Sequence, residues 1–421
     1  MVCLSPFLAL LTTAAAFTIP SWSELQSNVS PLYRPLQIKP PVYTDEVPPD
    51  VLESNLPILY RDKNCIDLNS QIVWLAMECK NIDYITILVD TAEDVPRIIW
   101  PDNESTPTVS DPTQLLEQIQ ARYPEPIPFY PKISVAVDAS RSNIMRLPGV
   151  MPRNSDPSLM SASPFLFRTD EVVAKSSHCV SLEELEEMME EYEGPYICGE
   201  DLTAADIVWM PYLERYSIQL PLVFPKIEVL NPRSSAYEMV AEWMKSVESI
   251  PAYACVVRGD ARHWRRCLEK SVEVNNSRCE EKVSLPPLPK RKRWWIKSNP
   301  KSDALWKSYC YKNGERVRPW LGDTPTIEAA LFLFRHRDAI IDAFVADSNH
   351  SSEITDETLR VIISQLTEWN ADDGKPKYSD TACKLLEYTI DRLDVPKDWG
   401  MIPALALFQL LETMEACNIQ P

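Results

Sequence analysis

Glycine is nearly missing from this chain: its 421 residues include only 8, and none precedes Gly149. That excludes a Gly-rich dinucleotide turn or a phosphate-cradling P-loop in the first third, because both need backbone to approach phosphate without a Cβ. Positive charge is short as well. The 42 Lys and Arg face 61 Asp and Glu, and a net charge of −19 argues against general nucleic-acid binding. Eleven cysteines occur without a Cys-x-x-Cys or a zinc-finger-like spacing, and His178-Cys179 are adjacent, a poor geometry for joint metal ligation. They read as reduced thiols rather than a disulfide framework. Beyond Phe17, no apolar run is long enough for a transmembrane helix.

What the chain does have is proline, 37 residues of it, which implies many short linkers and turns. The length predicts roughly two or three domains. Leu4–Phe17 is an apolar stretch ending Ala14-Ala15-Ala16-Phe17, too short to span a bilayer and suited to signal-peptidase cleavage. Phe17–Pro41 contains Ser and Pro, with one Glu against Arg34 and Lys39. This Ala-Phe junction between a signal-like and a transit-like segment resembles the bipartite plastid presequences of diatoms and related algae. Residues 1–41 are accordingly expected to direct the chain to the plastid stroma. The alternative is secretion, with Asn28-Val29-Ser30 and Asn103-Glu104-Ser105 as glycosylation acceptors.

The segment from Tyr60 to Trp74 carries the functional question. A short strand (Pro57–Tyr60) runs through a polar turn into an amphipathic helix with Ile72, Val73, Leu75, Ala76 and Cys79 on its apolar side. A helix start of this kind offers unpaired N–H groups and a positive dipole end, which stabilise a thiolate. The segment resembles the first strand and helix of glutathione S-transferase-like proteins, especially the algal and plant type. Where that family carries Cys-Pro-Phe/Tyr-Ser/Cys, this chain has Asp67-Leu68-Asn69-Ser70, and Ile72 replaces the motif's arginine.

The resemblance continues in family order over residues 56–258. Asn81 suits a left-handed helix end, and Tyr84–Val89 reads as a buried strand. Val95-Pro96 resembles the family's cis-proline segment, whose preceding residue pairs with the glutathione backbone as an added strand would. Asp111-Pro112 falls where the family has Glu-Ser for the γ-glutamyl end. Asp111 keeps a carboxylate for an amine, whereas Pro112 offers neither hydroxyl nor N–H, and the pair equally makes a good N-cap and first helical residue. Ser181-Leu182-Glu183-Glu184 reads as a capping box opening a helix. Gly194–Val208 resembles the family's capped core helix, with Thr203 as cap, Asp206 returning the bond, and Leu202 and Ile207 as staple.

The expected fold is α+β. A thioredoxin-like domain (residues 56–130) precedes an all-α glutathione S-transferase C-terminal domain (163–258), a basic, Pro-rich linker (275–300) and an extra C-terminal helical extension (301–421). In the extension, a helix is expected from Thr324-Pro325 through Phe344, followed by helices over Leu359–Leu366, Cys383–Leu393 and Ala404–Met414. Lys290–Lys297 sets basic residues beside two tryptophans, a pattern that grips phosphates or, more simply, lies on the acidic body.

Asp67 changes the chemistry that the resemblance implies. Ionised, it neither attacks nor donates, and at about 4 Å and an effective dielectric of about 20 it repels a thiolate by about 4 kcal/mol. That raises a thiol pKa by on the order of 3 units, the reverse of catalysis. As a helix cap, however, Asp67 is close to ideal. Three other residues are catalytic candidates: Cys65 two positions earlier, Ser70 one turn into the helix, and Tyr60 at the strand end. Val95, Pro96 and Asp111 are the candidate glutathione contacts, with glutathione as substrate or ligand and no metal. The leading expectation is a glutathione S-transferase-like protein with a degenerate motif, binding a glutathione conjugate, another small thiol or an apolar ligand. The alternatives are a plastid interaction or assembly protein that works through its helical extension, and a thiol transferase or reductase using Cys65. A homodimer is compatible with each, and no nucleic-acid partner is expected.

Overall fold

Two short runs, Ile58–Asp62 and the β-branched Ile85–Val89, lie on either side of the buried helix and pair in parallel, so the chain between them must cross over one sheet face. The computed structural model describes residues 19–29, 42–43, 55–89, 95–102, 111–130, 177–278, 282–287, 301–367 and 379–419. In chain order the first elements are helix α1 (Trp22–Val29), strands β1 (Val42–Tyr43) and β2 (Ile58–Asp62), helix α2 (Leu68–Cys79), strands β3 (Ile85–Val89) and β4 (Arg97–Ile99), and helix α3 (Pro112–Arg122). The sheet order is β1-β3-β2-β4, with β1 and β2 both parallel to β3 and β4 antiparallel to β2. This is a thioredoxin-like βαβ unit with its proline-led strand alongside.

Alternation along the strands sets the two faces of this sheet. Leu59 joins the main core with α2, whereas Ile58, Ile85 and Ile87 form a small separate cluster. Ten of the twelve residues of α2 are buried. An amphipathic helix was expected; a helix enclosed on nearly every side is what forms. Asn81 takes a positive φ of 54° just past its end, as its position suggested.

The all-α domain follows as α4 (Ser177–Tyr192), α5 (Ala204–Val223), α6 (Glu238–Val247), a π-helical turn (Tyr253–Val257) and α7 (Ala261–Arg278). Helix α4 begins one turn before Ser181, so Ser181 lies inside it rather than capping it. Its first turn is held by His178, which is fully buried edge-on to Tyr216 at 4.9 Å. At the start of α5, Asp206 accepts from the Thr203 N–H (2.7 Å), the Ile197 N–H (2.9 Å) and the Trp243 indole N–H (2.8 Å). One carboxylate thus ties the α5 cap to the preceding loop and to α6. Helix α7 carries the chain to Arg278 and packs Trp264 and Leu268 into the interior.

The extension comprises α8 (Ser302–Cys310), a β5 (Tyr311–Lys312) and β6 (Glu315–Arg316) hairpin, and helices α9 (Pro325–Arg335), α10 (Arg337–Asp347), α11 (Ser352–Thr367), α12 (Asp380–Arg392) and α13 (Met401–Ile419). Thr324 caps α9 by accepting from the Ile327 N–H at 3.2 Å, with Pro325 at the first helical position. The long helix expected from Thr324 to Phe344 is broken at His336 into α9 and α10. The extension has its own core, built around Leu333, Ile363, Leu385 and Leu407.

Helix α1 belongs to that core. Leu25 and Val29 are buried within it, the Trp22 indole donates to Asp356 at 2.9 Å, and the Arg360 guanidinium donates to the Pro20 carbonyl at 2.9 Å. Residues 22–29, read above as presequence, therefore fold with the C-terminal helices. At the junction with the all-α domain, the Asp260 N–H donates to the Val395 carbonyl at 3.0 Å. Gly400 lies so near Cys255 that a Cβ would sit 1.9 Å from its carbonyl oxygen, so this approach needs glycine.

Candidate functional site

Asp62, the last residue of β2, organises the turn that leads into α2. Its carboxylate accepts the N–H groups of Asn64 (3.1 Å), Ile66 (2.6 Å) and Asp67 (3.1 Å), and its carbonyl accepts the Cys65 N–H at 3.2 Å. That wrapping puts Cys65 in the left-handed region, with φ 52°. Asp67 has an extended backbone and accepts the Ser70 N–H at 2.6 Å, a regular N-cap. Ser70 turns back to accept the Asp62 N–H at 3.4 Å. Asp67, not Cys65, occupies the helix N-terminus.

The turn is closed from the other side by the all-α domain. Arg215, in the middle of α5, donates to the carbonyls of Ile66 and Cys65 and twice to the Gln71 side-chain oxygen. Its guanidinium stacks on Trp264 at 4.4 Å, and it is only 2% exposed. The neighbouring Glu214 accepts the Gly259 N–H at 2.9 Å and the Gln71 amide at 3.4 Å. From α7, His263 Nε2 lies 3.5 Å from the Cys65 carbonyl and 3.7 Å from the Cys267 sulfur. Cys65 is 5% exposed, Asp67 2% and Ser70 3%, so the helix start is buried.

Burial governs the electrostatics of this cluster. It pushes the Cys65 thiol above its ordinary value, and the Arg61 guanidinium, whose Nη1 lies 3.1 Å from the sulfur, only partly offsets this. A thiol raised in this way stays protonated near neutral pH and is a poor nucleophile. Burial raises the Asp67 carboxyl despite its bonds to Ser70, and lifts Glu214 to about 7. It pushes His263 down to about 4, so this imidazole is neutral under ordinary conditions. Desolvation also lowers Arg215, opposed by the nearby Cys267, Asp67 and Glu214. The arrangement holds a backbone turn in place. Among the described residues it presents no ionised thiol, and Glu214, the one carboxyl held near 7, is engaged by the Gly259 N–H and the Gln71 amide.

The other sequence candidates lie apart from this turn. Tyr60 points to the opposite sheet face, packs against the Ile58, Ile85 and Ile87 cluster, and stacks with Arg97 at 4.0 Å. Val95-Pro96 is a cis peptide bond, and the β2–β4 register (Tyr60 opposite Arg97) sets it beside Arg61 and Asp62. Val95 is itself 5% exposed. Asp111 is an exposed N-cap on α3, accepting the Gln114 N–H at 3.0 Å. Lys290–Lys297, Asn103–Ser105 and Leu4–Phe17 lie outside the described residues.

Sequence reasoning missed the residues that close the turn: Arg215, Glu214, His263, Trp264 and Cys267. A signal for two of them was present. Glu214-Arg215 is a charged pair inside the apolar run from Ala204 to Tyr216, and buried charges in such a run require partners. Among the described residues, no group of three or more His, Cys, Asp or Glu is placed to hold a metal ion. None of the described helices is long and apolar enough to cross a membrane.

Neither a protein-family model nor a curated protein matches this chain. Solved structures similar to it include a trimeric glutathione transferase from Leishmania, with 15% identity and a TM-score of 0.43 over 53% of this chain. The chain spans about half, 49%, of that protein's length. Glutathione transferase Omega 3C from Trametes versicolor is similar at 16% identity and a TM-score of 0.39, over 55% of this chain and 95% of its own. A glutathione transferase homologue from Drosophila mojavensis, solved with bound glutathione, is similar at 18% identity and a TM-score of 0.38, over 51% of this chain and 96% of its own.

Proposed function

We propose that this chain is a glutathione transferase-like protein that does not conjugate glutathione and serves as a binding protein for a small ligand carrying an apolar body. The observation that carries the reading is the closed turn: Asp67 caps the helix where the family's nucleophile would stand, and Arg215 and His263 close over the Cys65 carbonyl. Conjugation needs an open helix start with a donor or thiolate beside the glutathione sulfur, and the burial of Cys65, Asp67 and Ser70 speaks against both. Asp111-Pro112 supports the same reading, since its carboxylate is used as a helix cap. The plastid destination belongs to this proposal and rests on the Ala14-Ala15-Ala16-Phe17 junction. A role as an assembly partner is the second reading, favoured by a helical extension with a core of its own.

The test uses purified full-length protein in a chromogenic-electrophile assay with glutathione, beside calorimetric titration of glutathione. The expected result is no turnover above the uncatalysed rate and no saturable glutathione binding. Turnover abolished by Cys65→Ala would establish the thiol-transferase alternative instead.

A further inference from the structure

A cavity of 430 Å³ lies where the sheet, the all-α domain and the extension meet. It is a different place from the closed turn, since Cys65, Asp67, Ser70, Arg215 and His263 do not line it. Its walls are aromatic: Trp74 from α2, Trp306 and Tyr309 from α8, Trp320 from the loop before α9, and Trp399 from the loop before α13. Several of these rings are fixed. The Trp306 indole donates to the Gly322 carbonyl at 3.0 Å, the Tyr309 hydroxyl donates to Glu78 at 2.8 Å, and Trp399 stacks on Phe332 at 4.5 Å. Pre-set rings of this kind bind a flat partner without first losing side-chain freedom.

The polar atoms on the wall determine what else the ligand must carry. Three carboxyls reach the cavity, and each already accepts hydrogen bonds from the protein. Glu78 accepts from the hydroxyls of Tyr84 and Tyr309 and pairs with Arg318 at 3.2 Å. Glu328 accepts the Gly322 N–H at 2.6 Å, and Asp398 accepts the Asp394 N–H at 2.9 Å. Two cations reach the cavity as well. Arg61 is 6% exposed and stacks over Trp74 at 4.1 Å, yet its Nε–H has no partner among the described residues. Lys397, half-buried, also lines the cavity, where its charge acts on the neighbouring Asp398. A ligand carboxylate among these rings would gain charge-assisted contact with the two cations on the wall.

We propose that this cavity binds a flat aromatic carboxylate, with its ring system among the tryptophans and its carboxylate between Arg61 and Lys397. The assignment deepens the binding role proposed above and adds its site and chemical class. The volume falls within the range of small-molecule sites. The extension supplies most of the aromatic wall, so the site exists only with the extension docked.

The test is calorimetric titration of the full-length protein with 2-naphthoate and, in parallel, with its neutral counterpart 2-naphthalenemethanol. Saturable binding of one naphthoate per chain is expected, with the alcohol at least about tenfold weaker, as loss of a charge-assisted contact implies. Because Arg61→Met also removes the contact to Cys65 and could unfold the turn, Lys397→Glu and Trp320→Ala serve as the variants. Each is expected to weaken naphthoate about tenfold or more while leaving the far-ultraviolet circular dichroism unchanged. Absence of saturable naphthoate binding overturns the site. Equal affinity for the alcohol overturns the assigned charge, and naphthoate affinity unchanged in both variants overturns the location. Glutathione turnover would defeat the functional reading without touching this result, and failure of naphthoate to bind would leave the closed turn as it is.

Discussion

Arg215 places two of its N–H groups on the single side-chain oxygen of Gln71, at 2.7 and 3.2 Å, and so fastens the middle of α5 to the first turn of α2. The same guanidinium also holds the Cys65 and Ile66 carbonyls. One buried cation therefore fixes both the turn and the contact between the two domains.

Removing that cation should cost heavily. Arg215→Met takes the guanidinium from the Gln71 side-chain oxygen and the Ile66 carbonyl and leaves the Cys65 carbonyl to His263 alone, and a loss of about 3 kcal/mol or more is expected in denaturant unfolding. Arg215→Lys should recover little of it, because an ammonium cannot reproduce the planar fork that stacks on Trp264.

Thiol reactivity reports the closure directly. Of the described cysteines only Cys383 is half-exposed; Cys65, Cys267 and the rest are buried. Brief treatment of the native protein with iodoacetamide at pH 8, followed by peptide mass spectrometry, should label Cys383 and spare Cys65. In Arg215→Met, Cys65 should become labelled on the same timescale. Fast labelling of Cys65 in the native protein would contradict the closed turn.

The pH dependence of stability has a defined sign at Glu214. Burial raises its carboxyl from 4.5 to about 7, so the folded protein keeps a proton that the unfolded chain releases between those values. The stability this contributes is complete below about pH 4.5 and is lost as pH rises through 7. Asp260, lifted to about 7, acts in the same direction, while His178 and His263, pushed down to about 4, act in the opposite one. Comparison with Glu214→Gln isolates the one group. Relative to that variant, the native protein should lose on the order of 2 kcal/mol between pH 5 and pH 8, read from urea midpoints at each pH.

Helix α1 is expected to support the extension. Leu25→Ala removes a fully buried side chain from its core and should destabilise the protein by about 3 kcal/mol. A chain lacking residues 1–41 should show faster amide exchange in α9 and α11 than one lacking only residues 1–18. Equal exchange in the two would show that α1 adds nothing to that core.

The parts of the structure legible in the sequence were those set by neighbours in the chain. Asn81 at its positive φ, Thr203 with Asp206, and Thr324 with Pro325 are local devices, readable from a few adjacent letters. Asp67 as a cap was legible for the same reason. The closure of the turn was not, because Arg215 and His263 meet Cys65 across 150 and 198 residues. Helix α1 was obscured differently. Its Ser-containing, acid-poor surroundings read as a leader, and only a partner 334 residues away reveals that Trp22 has a fixed place. The aromatic cavity combines both difficulties, since its rings come from segments spread between Trp74 and Trp399.

The bond between Trp22 and Asp356 has a consequence for the order of assembly. A ribosome releases the chain from its amino end, so α1 emerges long before the helices that bury it exist. Its apolar side must stay uncommitted while the sheet and the all-α domain form. The loop closed by α1 is among the longest the chain can make, and its entropy is lost only when the final helices arrive. The last step of folding should therefore be capture of an early segment by a late one, and any factor that holds residues 22–29 would delay completion of the extension and of the aromatic cavity it helps to wall.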